Sequence, residues 1–368
     1  MNNYQEEEIL YAIALTKAKN IGDISARKLV STLGSAKAVF EEKAKNIALI
    51  DGIGLRQVEE ISKANLNEAE EEMRFIEDHD INTWYFKDKE YPKRLNQCQD
   101  APILLFHKGN FDLVNKPLIS IVGTRKITAH GIDICQKLIE DLAPLNPVII
   151  SGFAFGTDIT AHKAAIEQNL QNIAILGHGL DKIYPAIHSR YVPKLEKNGG
   201  FITDFTSEAK FDRKNFVKRN RIIAGMTEAT VVIESAEKGG SLITADLANQ
   251  YNREVFAVPG RPEDRYSIGC NNLIKKNQAH LITSAADIVY LLNWDIEKKK
   301  AGIQQSLFVD LDENEKKVIE VLAQDGKKEL DDLVIETEIP GHQLASILLN
   351  LELKGKIRPL PGKQYETI

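Results

Sequence analysis

Leu118-Ile119-Ser120-Ile121-Val122-Gly123-Thr124-Arg125-Lys126 decides the fold. A short, almost unbroken run of apolar and β-branched residues reads as a strand buried on both faces, and the glycine and cations that follow read as a turn at its carboxyl end. The same texture recurs at 148–150, 173–176, 201–203, 230–233, 255–258 and 280–282, with helical stretches near 130–142, 158–168, 188–197, 216–225, 241–251 and 285–292. Strands alternating with helices predict a doubly wound, Rossmann-like α/β domain with a parallel sheet. The segment 84–106, carrying Pro92 and Pro102, is expected to add an edge strand, because proline lacks the amide that a central strand must donate.

Outward from this core the hydrophobic period changes twice. Residues 1–80 repeat apolar positions at helical spacing, as in Ile9, Ala12 and Ile13, punctuated by Gly22, Gly34, Gly52 and Gly54; they predict a small all-helical domain of the helix-hairpin-helix kind. The turn at 49–54 either packs that domain or grips a phosphate at a helix start. The Rossmann-like domain is placed at 81–295. A charged linker at 297–302 leads to a third domain, 306–368, in which three helices and a hairpin formed by 355–365 describe a winged helix. Its third helix, at 342–354, carries only Lys354 near its end, with Arg358 in the wing, so protein contact or packing is expected of it before duplex binding.

The 368 residues carry a formal charge of −6, distributed unevenly. Residues 1–80 hold 10 Lys/Arg against 16 Asp/Glu, and 306–368 hold 8 against 13, which leaves the middle with 29 against 24. If a polyanion binds, the middle is where it is expected. No apolar run approaches the 18 or so residues of a membrane span, and three glutamates stand among the first ten residues, so a soluble cytoplasmic protein is expected. Cys98, Cys135 and Cys270 are too far apart for a zinc pattern and odd in number; buried reduced thiols are expected, with no metal.

In an open α/β sheet, ligands sit outside the carboxyl ends of the strands, so the loops there should carry function. Gly123-Thr124-Arg125-Lys126 offers amides, a hydroxyl and two cations to a phosphate. The segment 151–158 places Gly152 and Gly156 before a helix start. The run Asp212-Arg213-Lys214-Asn215-Phe216-Val217-Lys218-Arg219-Asn220-Arg221 sets five cations around one aromatic, the composition of a groove for single strands. Gly239-Gly240-Ser241 opens a further helix. Neither G-x-G-x-x-G nor a phosphate-binding G-x-x-x-x-G-K-[S/T] is present, so no nucleotide cofactor is expected. Asp158 and His162 stand one helical turn apart; a cap and a satisfied histidine explain them better than catalysis, and His178 and His188 lack metal-ligand spacing.

Six ordered motifs together resemble one family. G-T-R-K at 123–126, S-G-F-A-F-G-T-D-I-T-A-H at 151–162, G-H-G-L-D-K-I-Y-P at 177–185, F-V-K-R-N-R-I-I-A-G at 216–225, G-G-S-L-I-T-A at 239–245 and V-F-A-V-P-G at 255–260 resemble DNA-processing protein A, the DprA/Smf family. The resemblance implies a non-catalytic protein without cofactors that binds single-stranded DNA entering by natural transformation, protects it and helps load the RecA recombinase. It places DNA contacts on Gly123, Thr124, Arg125, Lys126, Gly152, Phe216, Lys218, Arg219, Asn220, Arg221, Gly240 and Ser241. It further implies a homodimer through 271–292, where Leu273, Ile274, Ile288, Leu291 and Leu292 form either an apolar patch or a core face. Thr124 stands where the family usually has Ser, Val217 where it has Pro, Thr157 where it has Ile, and Asn277-Gln278-Ala279 where it has E-G-A. The rival from another class is an enzyme similar to nucleotide phosphoribohydrolases of the lysine-decarboxylase-like group. Those carry a catalytic glutamate just after the glycine loop, whereas here Glu234 and Glu237 precede Gly239.

Overall fold

A computed structural model describes residues 3–294, 312–353, 356–360 and 364–367. The chain divides into two compact units, 1–295 and 296–368. The linker at 297–302 and Lys354 lie outside the described residues.

The first unit is built on nine strands: β1 (Asn82–Tyr85), β2 (Leu104–Asn110), β3 (Leu118–Val122), β4 (Val148–Ser151), β5 (Asn172–Ile175), β6 (Gly199–Thr203), β7 (Ala229–Val232), β8 (Glu254–Ala257) and β9 (His280–Leu281). They form one sheet in the order β1-β2-β6-β5-β4-β3-β7-β8-β9. Pairing is parallel from β6 to β9. The segment expected to give one edge strand gives two, β1 and β2, which extend the sheet antiparallel beyond β6. From β3 the chain winds outward through β4, β5 and β6, then returns to place β7 on the other side of β3. That reversal is the topological switch point, where the loops of neighbouring strands diverge and leave a crevice.

Strands without polar alternation need cover on both faces, and the core shows it. Val148 and Ile150 belong to one apolar cluster while Ile149 between them belongs to the other. Helices Ala129–Leu142, Thr157–Glu167 and Ala285–Leu291 cover the face of Ile119, Ile121 and Phe256. Helices Asn220–Met226 and Gly240–Gln250 cover the opposite face. The helices of residues 3–78 continue that second cluster through Ile13, Leu29 and Val30, so the core runs without interruption across residue 80. Cys98, Cys135 and Cys270 are buried free thiols, and burial pushes those of Cys135 and Cys270 up to about 12.

Two expected helices are divided. The stretch near 188–197 is a 3-10 turn, Ala186–Tyr191, followed by Val192–Lys197, and the stretch near 216–225 is Arg213–Lys218 followed by Asn220–Met226. A further helix, Ile268–Lys275, stands outside the expected set. In the N-terminal turn, Gly52 adopts a left-handed backbone with φ +77, and the nearest cation, Lys28, is paired with Asp51 at 3.0 Å.

The second unit has helices Glu313–Asp325, Leu330–Thr337 and Gly341–Leu353 around Val318, Leu333, Leu344 and Leu348. Its hairpin, β11 (Ile357–Leu360) with β12 (Gln364–Thr367), is joined by β10 (Lys327–Glu329), in the order β10-β12-β11. This is a winged helix with a three-stranded sheet in place of the expected two. Among the described residues of both units, no helix is long and apolar enough to cross a membrane.

Candidate nucleic-acid interface

The loops after β3 and β7 meet at the switch point, where the amide of Thr124 donates to the carbonyl of Glu234 at 2.8 Å. Around this junction lies a cleft lined by Gly123, Thr124, Arg125, Phe216, Arg219, Asn220, Gly240 and Ser241, joined by Arg213 and Lys238. Four segments far apart in sequence thus converge at the carboxyl rim of the sheet.

One wall is the first turn of helix Gly240–Gln250. No side chain caps it, so the unpaired first amides and the helix dipole favour an anion there. An added Cβ at Gly240 would meet nothing nearer than the Asn220 side chain at 4.0 Å. The loop is held from behind: the Asn220 amide donates to the Gly240 carbonyl at 3.3 Å, and the Ser241 hydroxyl to Ser235 at 3.0 Å. Asn220 and Ser241 are buried, so their side chains shape the anion site while the backbone faces it.

The opposite wall carries charge and an aromatic face. Arg125 is exposed, makes no ion pair among the described residues, and places its guanidinium 6.0 Å from the centre of the Phe216 ring. Phe216 rests on Gly177, where an added Cβ would come to 3.1 Å from it. Thr124 accepts from the Lys126 amide at 3.1 Å, which orients the turn and leaves Lys126 exposed outside the cleft lining.

The remaining expected residues are placed differently from a surface trough. Arg219 is buried at the floor; it donates to the Ile175 carbonyl at 2.5 Å and lies 3.6 Å from Asp158. Burial holds its pKa below the usual arginine value, with Asp158 opposing that effect. Gly152 lies beneath it. A Cβ there would fall 2.1 Å from that guanidinium and 2.3 Å from the Asp158 carboxylate, so this glycine makes room for the Arg219–Asp158 pair and lies outside the cleft lining. Arg221 points away from the cleft, buried against Asp23 and Asp204 and donating to the Asp100 carbonyl. Lys218 joins the same acids at 3.4 and 3.5 Å and covers Phe205. The expectation that Lys218, Arg219 and Arg221 contact the strand meets a different placement: all three are paired with internal carboxylates. Lys238 was not singled out by sequence reasoning; its position directly before the glycines of a helix start was the available signal.

Asp158 and His162 each have other partners. The His162 ring bonds the Gly152 carbonyl and Asn172 at 2.5 and 3.0 Å and does not touch Asp158. Asp158 accepts from the Ala154 amide at 3.3 Å and balances Arg219. His178 and His188 bond the carbonyls of Gly179 and Phe153 at 2.8 and 2.9 Å. Among the described residues no cluster of His, Cys, Asp and Glu is disposed to hold a metal ion.

Residues 82–293, the whole sheet with its covering helices, match the family model described as DNA recombination-mediator protein A. The chain belongs to that family. A second model, the DprA winged helix domain, matches 309–363. Among relatives of the DNA recombination-mediator protein A family, Protein Smf of Synechocystis is 30% identical over 98% of both chains. The DNA processing protein DprA of Streptococcus pneumoniae is 38% identical over 54% of this chain and 70% of its own. The X-ray structure of the pneumococcal protein superposes with a TM-score of 0.67 at 30% identity, covering 77% of this chain and 96% of that one. The Helicobacter pylori family member, described as having a unique single-stranded DNA binding mode, gives a TM-score of 0.52 at 27% identity over 58% of this chain and 95% of that one.

Proposed function

We propose that this protein binds unpaired DNA in the cleft at the switch point and passes it to a recombinase, acting in natural transformation without catalysis. The observation that carries the reading is Arg125 poised over the Phe216 ring, across from the uncapped start of helix Gly240–Gln250. A cation, an aromatic face and free amides around one cleft suit a phosphate and its base, and stacking on an aromatic accepts any base. The working set is Gly123, Thr124, Arg125, Phe216 and the amides of Gly240 and Ser241, with Arg213 and Lys238 adding charge; Lys126 supplies charge beside it. Gly152, Lys218, Arg219, Asn220 and Arg221 shape and hold the site from within. The family's mediator description and the Helicobacter relative support unpaired DNA as the ligand.

The carboxylates support a binding role over the phosphoribohydrolase alternative. Glu234 is buried and accepts from the Thr128 amide and hydroxyl at 2.9 and 2.6 Å, which ties it to the start of helix Ala129–Leu142. Asp158, the carboxylate on the cleft lining, is balanced by Arg219. Incubation with nucleoside monophosphates is expected to release no free base.

The homodimer is proposed through the β9 end of the sheet. Leu273 and Ile288 face the core, so the available apolar surface is Leu281, Tyr290 and Leu291, with Ile274 and Leu292 half-buried beside it. Domain limits at 1–80, 81–295 and 306–368 and a cytoplasmic location belong to the same reading.

Fluorescence anisotropy with labelled oligo(dT) tests the function. Salt-sensitive binding that weakens in Arg125→Ala and Phe216→Ala is expected; equal binding by wild type and both variants overturns the assignment. Recombinase loading is read separately, as faster assembly of the host RecA recombinase on single-stranded DNA when this protein is present.

A further inference from the structure

Two exposed aromatics cluster with Phe216 at the sheet rim. Tyr184 lies in the loop after β5 and Phe211 in the loop after β6, adjacent parallel strands. Their ring centres are 4.7 Å apart, and both rings approach Phe216, Phe211 at 5.3 Å and Tyr184 at 5.7 Å. The three planes meet at 58–69°, so no two of the rings stack flat on one another. Tyr184 is 42% and Phe211 47% exposed. Rings closing a small core under a loop would be buried. The segment around Phe211 also supplies Lys210, Arg213 and Lys214, exposed cations without ion pairs among the described residues.

We propose that Tyr184 and Phe211 form a second stacking subsite, on which bases of the same unpaired strand continue past the Arg125–Phe216 pocket toward β5 and β6. The inference rests on the reading of the cleft as a single-strand site and extends its length. Adjacent strands lie about 4.8 Å apart, so the rim from β3 to β6 covers roughly 14 Å. That is room for additional bases beside the backbone-tracking cations, and sequence preference is not required because every base presents a π-face.

The test is a length series of oligo(dT) measured by anisotropy with wild type, Arg125→Ala and the double variant Tyr184→Ala/Phe211→Ala. Expected is a loss of about tenfold or more for long oligonucleotides in the double variant. For the shortest oligonucleotide that wild type holds, the affinity should stay unchanged, so that added length no longer strengthens binding. Tyr184→Leu/Phe211→Leu keeps apolar bulk without a π-face and is expected to behave like the alanine pair, whereas Tyr184→Phe keeps wild-type affinity. If the leucine pair restores long-oligonucleotide binding, the rings serve packing and the inference fails. If Arg125→Ala weakens binding at every length while both double variants follow the wild-type length dependence, the inference alone fails. If wild type binds no oligo(dT), or Arg125→Ala binds as wild type does, the reading of the cleft fails with it.

Discussion

The Arg219 guanidinium lies 3.6 Å from the Asp158 carboxylate beneath the cleft floor, with both residues buried. Removing one member leaves the other charged and unpaired away from water, so Arg219→Ala should cost about 3–5 kcal/mol of stability. Exposed, unpaired Arg125→Ala should change stability by no more than about 0.5 kcal/mol. Urea midpoints of the two variants decide this, and equal midpoints would contradict the internal role given to Arg219.

Charge and stacking separate in the salt dependence of binding. Each phosphate contact to a single strand contributes about 0.7 to the slope of log K against log salt, so Arg125→Ala should flatten the slope by about that amount. Phe216→Ala should lose ~1–3 kcal/mol with the slope intact. Titrations at several salt concentrations that give both variants the same slope would refute the division of labour.

Acid should weaken the fold through its buried histidines. Burial lowers the pKa of His162, His178 and His188, and that of His107 to about 4. The unfolded chain takes up these protons near 6.5. Between 6.5 and about 4 it therefore binds more protons than the folded chain, and stability must fall as pH drops through that window. Urea midpoints at several pH values should decline below 6.5, and His107→Gln should make the decline shallower; a level profile in wild type would show that these rings are protonated in the folded state.

The winged helix should be dispensable for strand binding. Helix Leu330–Thr337 carries Asp331 and Asp332 in its first turn, and helix Gly341–Leu353 has no Lys or Arg. The cations of the cleft all belong to the first unit, so deleting 296–368 should leave oligo(dT) affinity within about twofold. A larger loss at constant salt would place DNA contacts on the second unit.

The strands were legible because burial on both faces leaves unbroken apolar runs: β3 falls on the residues expected, and β4, β5, β7 and β8 within a residue or so. The loops that bear the cleft were legible because open sheets bind ligands at their carboxyl ends. The roles of single residues were not. Gly152 and Gly240 look alike in sequence, yet one is crowded by Arg219 and Asp158 and the other opens to the cleft. Arg125 and Arg221 are both arginines in basic segments, yet Asp204 and Asp23, distant in sequence, claim Arg221.

By itself the sequence determined the alternation of strand and helix, the location of the anion-seeking loops and the resemblance that led to the family, since these depend on local period and on short ordered motifs. Only the tertiary structure decided which cations remain available to a ligand. A charge is spent or free according to the carboxylates brought beside it, and those come from remote parts of the chain that local pattern does not connect.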